Sequence, residues 1–598
     1  MLNPMLKAVL LLLALAVPPV LAQPLGAAEA PAVKRSDAEL RGEIDRLMTR
    51  LEAFGFSGAL LVARDGRIVL EKGYGFADRE KGVPFTAGTV FCIGSITKQF
   101  TAAAILKLEM EGKLKVTDPI SKYFDGVPED KREITLHHLL THSAGLLDLL
   151  GDDYDEMPRD RLVQEALASK LLWPPGTRYR YSNLGYSLLA VVVEKVSGQP
   201  YEAFLQERLL KPAGLAMTGY RGPKWEMATL ARGYSRRGDW GTMLDHPWAP
   251  DGPWWNLRGN GGILSTTGDL YKWHRALEGE AILSKEAKAR YQAPHVPEGG
   301  GTHYGYGWSI AKTSRGTTLV SHNGGNGIFA ADFHRYVDEG VVIIIGSSRS
   351  DFSSIPTLPS VARLVFGEDV QMPPELVKME PKALERYLGS YTLPSGGRLT
   401  VAAAPANTGD PRYPGVTVTA EGMDAFLLLA GGTRDPEKTR EMDRRLLAAL
   451  EAGRNGSFAP VGELLGIPAA QAEGGMRDYV EPREERYGKL KGFEPAVTVT
   501  NGERTASYVR FLFEKGSVLT EFAWRTPETI GNVRPVEEPL SLRFAPRSPT
   551  AFAAYDPRTR RVSEIGFEVG EDGAVKALVA KTGPGLRLAR TAPAAPPP

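Results

Sequence analysis

The chain has 598 residues, 42% hydrophobic and 24% charged, which suits a soluble protein with a substantial core and excludes wholesale disorder. With 72 Lys plus Arg against 71 Asp plus Glu it carries no summed positive field, so neither nucleic acid nor an anionic membrane surface is expected as a partner. Length alone suggests three or four domains, and the texture of the chain reduces this to two folded ones.

Residues 1–22 read as a secretory signal peptide, with a lone Lys7, an apolar run and small residues ending near Ala22. Pro18 and Pro19 interrupt the run, which falls short of the roughly 20 apolar residues of a membrane span. Export with cleavage, to periplasm or exterior and without a stable anchor, is the expectation. The single cysteine, Cys92, cannot form an internal disulfide and reads as a small buried hydrophobe.

Ser36 is placed to cap a helix over "DAELRGEIDRLMTRLEAF", and "SGALLVARDGRIVLEKGYGFAD" predicts two strands around the turn Asp65-Gly66. From Ser95 to about Leu215 helical patterns dominate, one of them stopped by Gly198. Two β runs return in "TLVSHNGGNGIFAADFHRYVDEGVVIIIGSSR". The expected class of residues 36–367 is therefore α+β, a sheet drawn from both sequence ends around a helical middle. Clustered prolines mark 368–382 as a linker. Residues 383–592 show alternating β segments with Gly turns and one charged helix, "PEKTREMDRRLLAALEAG", which predicts a β-rich accessory domain; 593–598 is a tail.

Three short stretches carry chemistry. In "FCIGSITKQF", Ser95 and Lys98 are three apart, so a helix starting at Ser95 sets both on one face. Its N-terminus supplies N–H groups for an oxyanion and disfavours an ammonium on Lys98, leaving the amine able to accept the Ser95 proton. In "RYRYSNLGYSLLA", Tyr181 can relay a proton and Asn183 can hold a substrate amide or the Lys98 amine. In "LVSHNGGNG", His322 and Asn323 precede Gly324 and Gly325; glycine allows a substrate backbone close to the strand edge, and the Gly325 N–H can pair with that of Ser95 as an oxyanion hole. Taken singly, each is matched by ordinary helix, turn or strand chemistry. His138 and His142 stand at the i, i+4 spacing of zinc ligands beside His137, but no Glu follows the first His as in H-E-x-x-H, so no metal or other cofactor is expected.

Together, Ser95-x-x-Lys98, Tyr181-x-Asn183 and His322-x-Gly324 resemble, in order and spacing, the S-x-x-K, Y-x-N and K/H-x-G elements of the serine penicillin-recognising family of class C β-lactamases, D-alanyl-D-alanine carboxypeptidases, D-aminopeptidases and related esterases. "ITLHHLLTHSAGL", "GNGGILSTTGDLYKW" and "YGYGW" look similar too. The resemblance covers about 36–367. It implies a transpeptidase-like fold, an antiparallel sheet flanked by helices plus a helical subdomain, and a serine hydrolase acting on a peptide, amide or ester. In that scheme Ser95 forms the acyl-enzyme and Lys98 and Tyr181 share acid and base work, with the acylation base left open. The oxyanion falls to the N–H groups of Ser95 and Gly325, and substrate binding to Asn183, His322, Asn323 and Gly324. Histidine where penicillin-hydrolysing members usually carry Lys predicts weak recognition of a lactam carboxylate. The alternative is a sensor that is acylated with little turnover.

Overall fold

The computed structural model describes residues 35–591 apart from 236–237, 351–353, 355, 406–407, 431–435, 502–503, 537–539, 558–559 and 581–585. The expected signal segment 1–22 and tail 593–598 lie outside the described residues. Two compact units are found, the second beginning at Pro373.

The first unit opens with α1 (Asp37–Ala53), where Ser36 accepts from the Glu39 N–H and Glu39 reaches back to the Ser36 N–H, a reciprocal cap of the expected kind. Next come β1 (Gly58–Arg64) and β2 (Arg67–Tyr74), joined by Asp65 and Gly66 at φ of 52° and 74°. Two successive positive φ values make the turn whose twist matches paired strands. The remaining strands of the sheet are β3 (Val296–Gly299), β4 (Thr302–Tyr304), β5 (Ser309–Lys312), β6 (Thr318–Gly325), β7 (Ala330–Tyr336) and β8 (Val341–Ser347). Their order is β2-β1-β8-β7-β6-β5-β4-β3, antiparallel throughout. Thus the stretch read as two β runs holds three strands, because the short turns at 326–329 and 337–340 leave Ala330–Tyr336 between them.

Both faces of this sheet are covered. Ala59, Leu61 and Ala63 of β1 and Val342 and Ile344 of β8 join a core that contains Phe100 of α2 (Thr97–Met110) and Trp273 of α4 (Thr267–Glu278). Leu60, Val62, Ile343 and Ile345 alternate to the other face and are equally buried. There α1 packs on β2, and α5 (Leu358–Val365) packs on β8. Helix α3 (Asn183–Ser197) lies against α2 and ends at Gly198 with φ 71°, the left-handed stop foreseen from the sequence.

Helix α2 starts later than expected. Gly94–Ile96 forms a 3-10 turn, with Gly94 at φ +50°, and the α-helix proper begins at Thr97. The helix is buried on nearly every side from Thr97 to Leu106, so it is a core helix and not an amphipathic surface one.

The second unit is a closed antiparallel barrel of β9 (Gly389–Thr392), β10 (Arg398–Ala403), β11 (Val416–Glu421), β16 (Ser541–Pro546), β17 (Ala551–Asp556), β18 (Arg561–Val569), β19 (Val575–Ala580) and β20 (Leu586–Thr591). Pairing of β9 with β20 closes it. Between β11 and β16 the chain leaves the barrel to build a four-stranded meander of β12 (Leu490–Asn501), β13 (Arg504–Phe513), β14 (Gly516–Trp524) and β15 (Ile530–Val536). One helix was expected here, and four are present among the described residues: α6 (Met423–Ala430), α7 (Pro436–Arg454), α8 (Ala459–Leu465) and α9 (Ala469–Tyr487). The last contains Pro482 and a Gly474-Gly475 pair, poor helix formers that packing overrides.

Candidate active site

The 3-10 turn Gly94–Ile96 sits against the end of β6 so closely that side chains are excluded from both partners. A Cβ on Gly94 would fall 2.2 Å from the Gly325 nitrogen, and one on Gly324 would fall 2.0 Å from the Ile93 carbonyl oxygen and 2.6 Å from the Ser95 nitrogen. The glycine expected to admit a substrate backbone therefore admits the chain's own serine turn. Its effect is to place the N–H groups of Ser95 and Gly325 on neighbouring backbone, at the mouth of a pocket that both residues line.

Ser95 is partly exposed among buried neighbours, and Lys98, one turn on, is fully buried. The Lys98 Nζ lies 3.0 Å from Ser95 Oγ, 2.7 Å from Asn183 Oδ1 and 2.9 Å from the Asn260 carbonyl oxygen. Burial pulls the amine down to about 7, against the opposing pull of Asp148 and Asp153. Asn183 is held in one orientation, since its backbone N–H and its Nδ2 both donate to Asp148 Oδ1 at 3.0 Å, which turns Oδ1 toward Lys98. The carbonyl of Asn260 is fixed as well, through its side chain, which donates to Ser187 Oγ and the Asn256 carbonyl, both at 2.8 Å.

At about 7 the amine is neutral in a large fraction of molecules at neutral pH, and the contacts fix where the protons of that neutral form lie. Asn183 Oδ1 and the Asn260 carbonyl can only accept, so they take both N–H groups, and the lone pair points at the Ser95 hydroxyl. An ammonium would instead direct its third N–H at Ser95.

Tyr181 lies just before α3, whose N-cap is Ser182, with its ring 4.6 Å from Lys98 Nζ. Burial raises its phenol far above the usual tyrosine value; a hydrogen bond to Ser95 works the other way. The phenol is therefore neutral and able to donate. His142 packs against it, tilted by 35°, at 4.2 Å between ring centres. His142 Nδ1 accepts the Ser182 N–H at 3.0 Å, which ties this aromatic pair to the start of α3.

The third element divides by strand alternation. His322 and Gly324 face inward, whereas Asn323 and Gly325 face outward and are exposed. His322 Nδ1 donates to the Asn323 carbonyl at 2.5 Å, and Tyr304 donates its hydroxyl to Nε2 at 2.8 Å. Burial, with Lys98 nearby, pushes this imidazole down to about 3, so it carries no charge at neutral pH. It packs beside Tyr181, 6.3 Å between ring centres, and makes no hydrogen bond to Ser95 or Lys98 among the described residues. Asn323 shares its strand face with Gly325; of the four residues His322–Gly325, Gly325 lines the pocket.

The histidines once weighed as metal ligands are spent separately. His137 Nδ1 pairs with Tyr306, His138 Nδ1 accepts the Thr135 N–H, and His142 serves Ser182. Asp148 and Asn260, which fix Asn183 and Lys98, were not singled out in the sequence. Both lie in loops without periodicity, and only the Asn between glycines in "GNGG" offered any local mark.

Residues 44–363 match the model of the beta-lactamase family. The chain belongs to the beta-lactamase family. A penicillin-binding protein of Bacillus subtilis (strain 168) is 28% identical over 383 residues, 58% of this chain and 83% of that protein. Protein flp of Staphylococcus aureus (strain COL) is 28% identical over 283 residues, covering 44% and 54% of the two chains. The structure of the octameric penicillin-binding protein homologue from Pyrococcus abyssi superposes with a TM-score of 0.51 at 20% identity, covering 93% of this chain and 100% of that one, a likeness of fold. Within the family's shared region lie all of Ser95, Lys98, Tyr181, Asn183 and His322–Gly325.

Proposed function

We propose that this beta-lactamase-family protein is an exported serine hydrolase that cleaves a small peptide, amide or ester through an acyl-enzyme on Ser95. The observation that carries the reading is the buried Lys98 Nζ 3.0 Å from Ser95 Oγ, its other two neighbours being acceptor oxygens of Asn183 and Asn260, so that in the neutral amine the lone pair is left to the Ser95 hydroxyl. Lys98 takes the proton as Oγ attacks the substrate carbonyl, and the oxyanion is held by the N–H groups of Ser95 and Gly325. The tetrahedral intermediate expels its amine or alcohol, which receives a proton from the neutral phenol of Tyr181 with Lys98 resupplying it. Water then gives up a proton to Lys98 as it adds to the acyl-enzyme ester; the bond between Ser95 Oγ and the acyl carbon breaks, the carboxylic acid leaves, and Oγ takes the proton back. An amine near 7 is the better acylation base, since a phenol pushed far upward is a poor acceptor at neutral pH.

Weak hydrolysis of β-lactams goes with this reading, because the position that would meet their carboxylate holds the neutral His322. Export is supported by the apolar leader after Lys7. The test is product release from p-nitrophenyl acetate, D-amino-acid amides, D-Ala-D-Ala peptides and a cephalosporin by the wild type and Ser95→Ala. Many turnovers on at least one ester or amide, lost in the alanine variant, are expected. Equal activity in both would sink the mechanism, and one equivalent of product followed by silence would make the protein a sensor.

A further inference from the structure

A second cavity lies away from Ser95. It holds about 440 Å³ between the last turns of α4 and one end of the sheet, and its walls include Ala63, Tyr271, His274, Glu278, Arg335 and Val342. Gly325 at the active site pairs with Ala330 of β7, whereas Arg335 pairs with Val320, five residues away along the same two strands, or about 17 Å at 3.4 Å per residue. Arg335 is 5% exposed, and its Nε donates to His274 Nδ1 at 3.0 Å. Neither Nη1 nor Nη2 donates to any described residue, and no carboxylate among them stands within ion-pair distance. The hydroxyl of Tyr271 is likewise enclosed without a partner. Enclosed donors with nothing to meet are costly unless something brings an acceptor. The bond from Arg335 also fixes the imidazole of His274, which burial and the neighbouring arginines push down to about 3: Nδ1 accepts, so the proton sits on Nε2, and Glu278 Oε1 at 3.6 Å is too far to take it. The negative groups around the cavity are already engaged or in water. Glu278 pairs with Arg275 at 2.5 Å, Asp65 is exposed on its turn, and the carbonyls that end α4, those of Glu278 and Gly279, accept from Lys288 at 3.2 and 2.7 Å. The charge left over is that of Arg335.

We propose that this cavity binds a small organic monoanion, a carboxylate on an apolar body about the size of one aromatic ring, held by the guanidinium of Arg335 and the imidazole N–H of His274. The site stands apart from the Ser95 chemistry and does not depend on it. Three observations carry it. The volume falls within the roughly 300–1,000 Å³ of small-molecule sites. Burial draws Arg335 down only to about 10, so it stays charged at neutral pH, and one uncompensated positive charge calls for one negative charge. Its planar head, with both terminal nitrogens unspent, matches a planar carboxylate better than a point acceptor. Finally, Ala63, Val341 and Val342 give the anion's body an apolar wall, and the exposed Val337 and Asp65 mark the way in.

Calorimetric titration compares benzoate, neutral benzamide and inorganic phosphate on the full-length wild type, Ser95→Ala, Arg335→Lys and Arg335→Gln. Benzoate should bind the wild type and Ser95→Ala alike, and at least about tenfold more tightly than benzamide; Arg335→Gln should lose at least about tenfold of that affinity, with Arg335→Lys between. Benzoate bound no better than benzamide, or equally well by Arg335→Gln, overturns the site. Tighter binding of phosphate than of benzoate overturns the carboxylate as its occupant. A measurement free of variants covers the case in which Arg335→Gln fails to fold: in wild-type crystals soaked with 4-bromobenzoate, the bromine should appear in anomalous maps inside the cavity, with the carboxylate within hydrogen-bond distance of Arg335. Bromine found only elsewhere, the pocket at Ser95 included, overturns the proposal.

Discussion

The two units solve the problem of a core in opposite ways. The barrel of the second is lined by Leu399, Val401, Val416, Val418, Phe544, Phe552, Leu578 and Leu588, all buried, and its strands set charges outside in pairs such as Arg398 with Glu421 and Arg587 with Glu568. The first unit places ionisable groups within its core: Lys98, His322, Asp332 and Arg335 are each 5% exposed or less. Each is shifted toward its neutral form, Lys98 and Asp332 to about 7, His322 to about 3 and Arg335 to about 10. Sites that break the rules of a stable core are where function is expected, and the amine of Lys98 gains reactivity from the same burial that makes it unfavourable.

That contrast can be broken most forcefully at Lys98. Lys98→Met should lower kcat/KM by about 10³-fold or more, and should remove the limb of the wild-type pH profile that rises through about 7 as the ammonium becomes an amine. A variant that keeps the rising limb assigns it to another group. In the barrel the corresponding probe is Phe552→Ala. This ring is fully buried, 5.3 Å from Tyr387 and 5.4 Å from Phe567 between centres, and its loss should cost about 3–5 kcal/mol in denaturant unfolding of the second unit. A cost below about 1 kcal/mol would mean the barrel is not held by its apolar lining.

Gly324→Ala sharpens the comparison on the catalytic side. The added methyl collides with the Ile93 carbonyl, so the serine turn and β6 must move apart, with a loss of about 10²-fold in kcat from misplaced reacting groups. Wild-type activity would show that the close approach of the two backbones is not needed. Smallest of all should be Glu421→Gln, which removes an exposed cross-strand partner of Arg398 and should change stability by less than about 1 kcal/mol.

What could be read from the sequence was what is local. The Ser36 cap, the Asp65-Gly66 turn and the Gly198 stop depend on a few adjacent residues, and the three candidate site stretches declare themselves by residue type and order. The supports of the site do not. Asp148 fixes Asn183 from 35 residues away and Asn260 meets Lys98 across 162, contacts that exist only once the helical middle has packed. Phase errors had physical sources as well. Ala330–Tyr336 was merged with its neighbours because strands buried on both faces lose the alternation that separates them, and the helix that contains Gly474, Gly475 and Pro482 forms against its local propensity.

The excursion inside the barrel bears on how the second unit comes to fold. Strands β11 and β16 are neighbours, Thr419 beside Ser541, yet everything from 420 to 540 intervenes. Closing so long a loop directly costs about 3 kcal/mol more entropy than closing a four-residue hairpin. Strands β12 to β15 meet through consecutive short connections, 502–503 between the first pair and 514–515 between the next, so their contacts form early and cheaply. Once that meander stands, residues 490–536 no longer add to the loop between Thr419 and Ser541, and the helices of 423–487 shorten the remainder further. Loop-closure entropy therefore favours an order of folding that runs from the interruption outward to the frame that holds it.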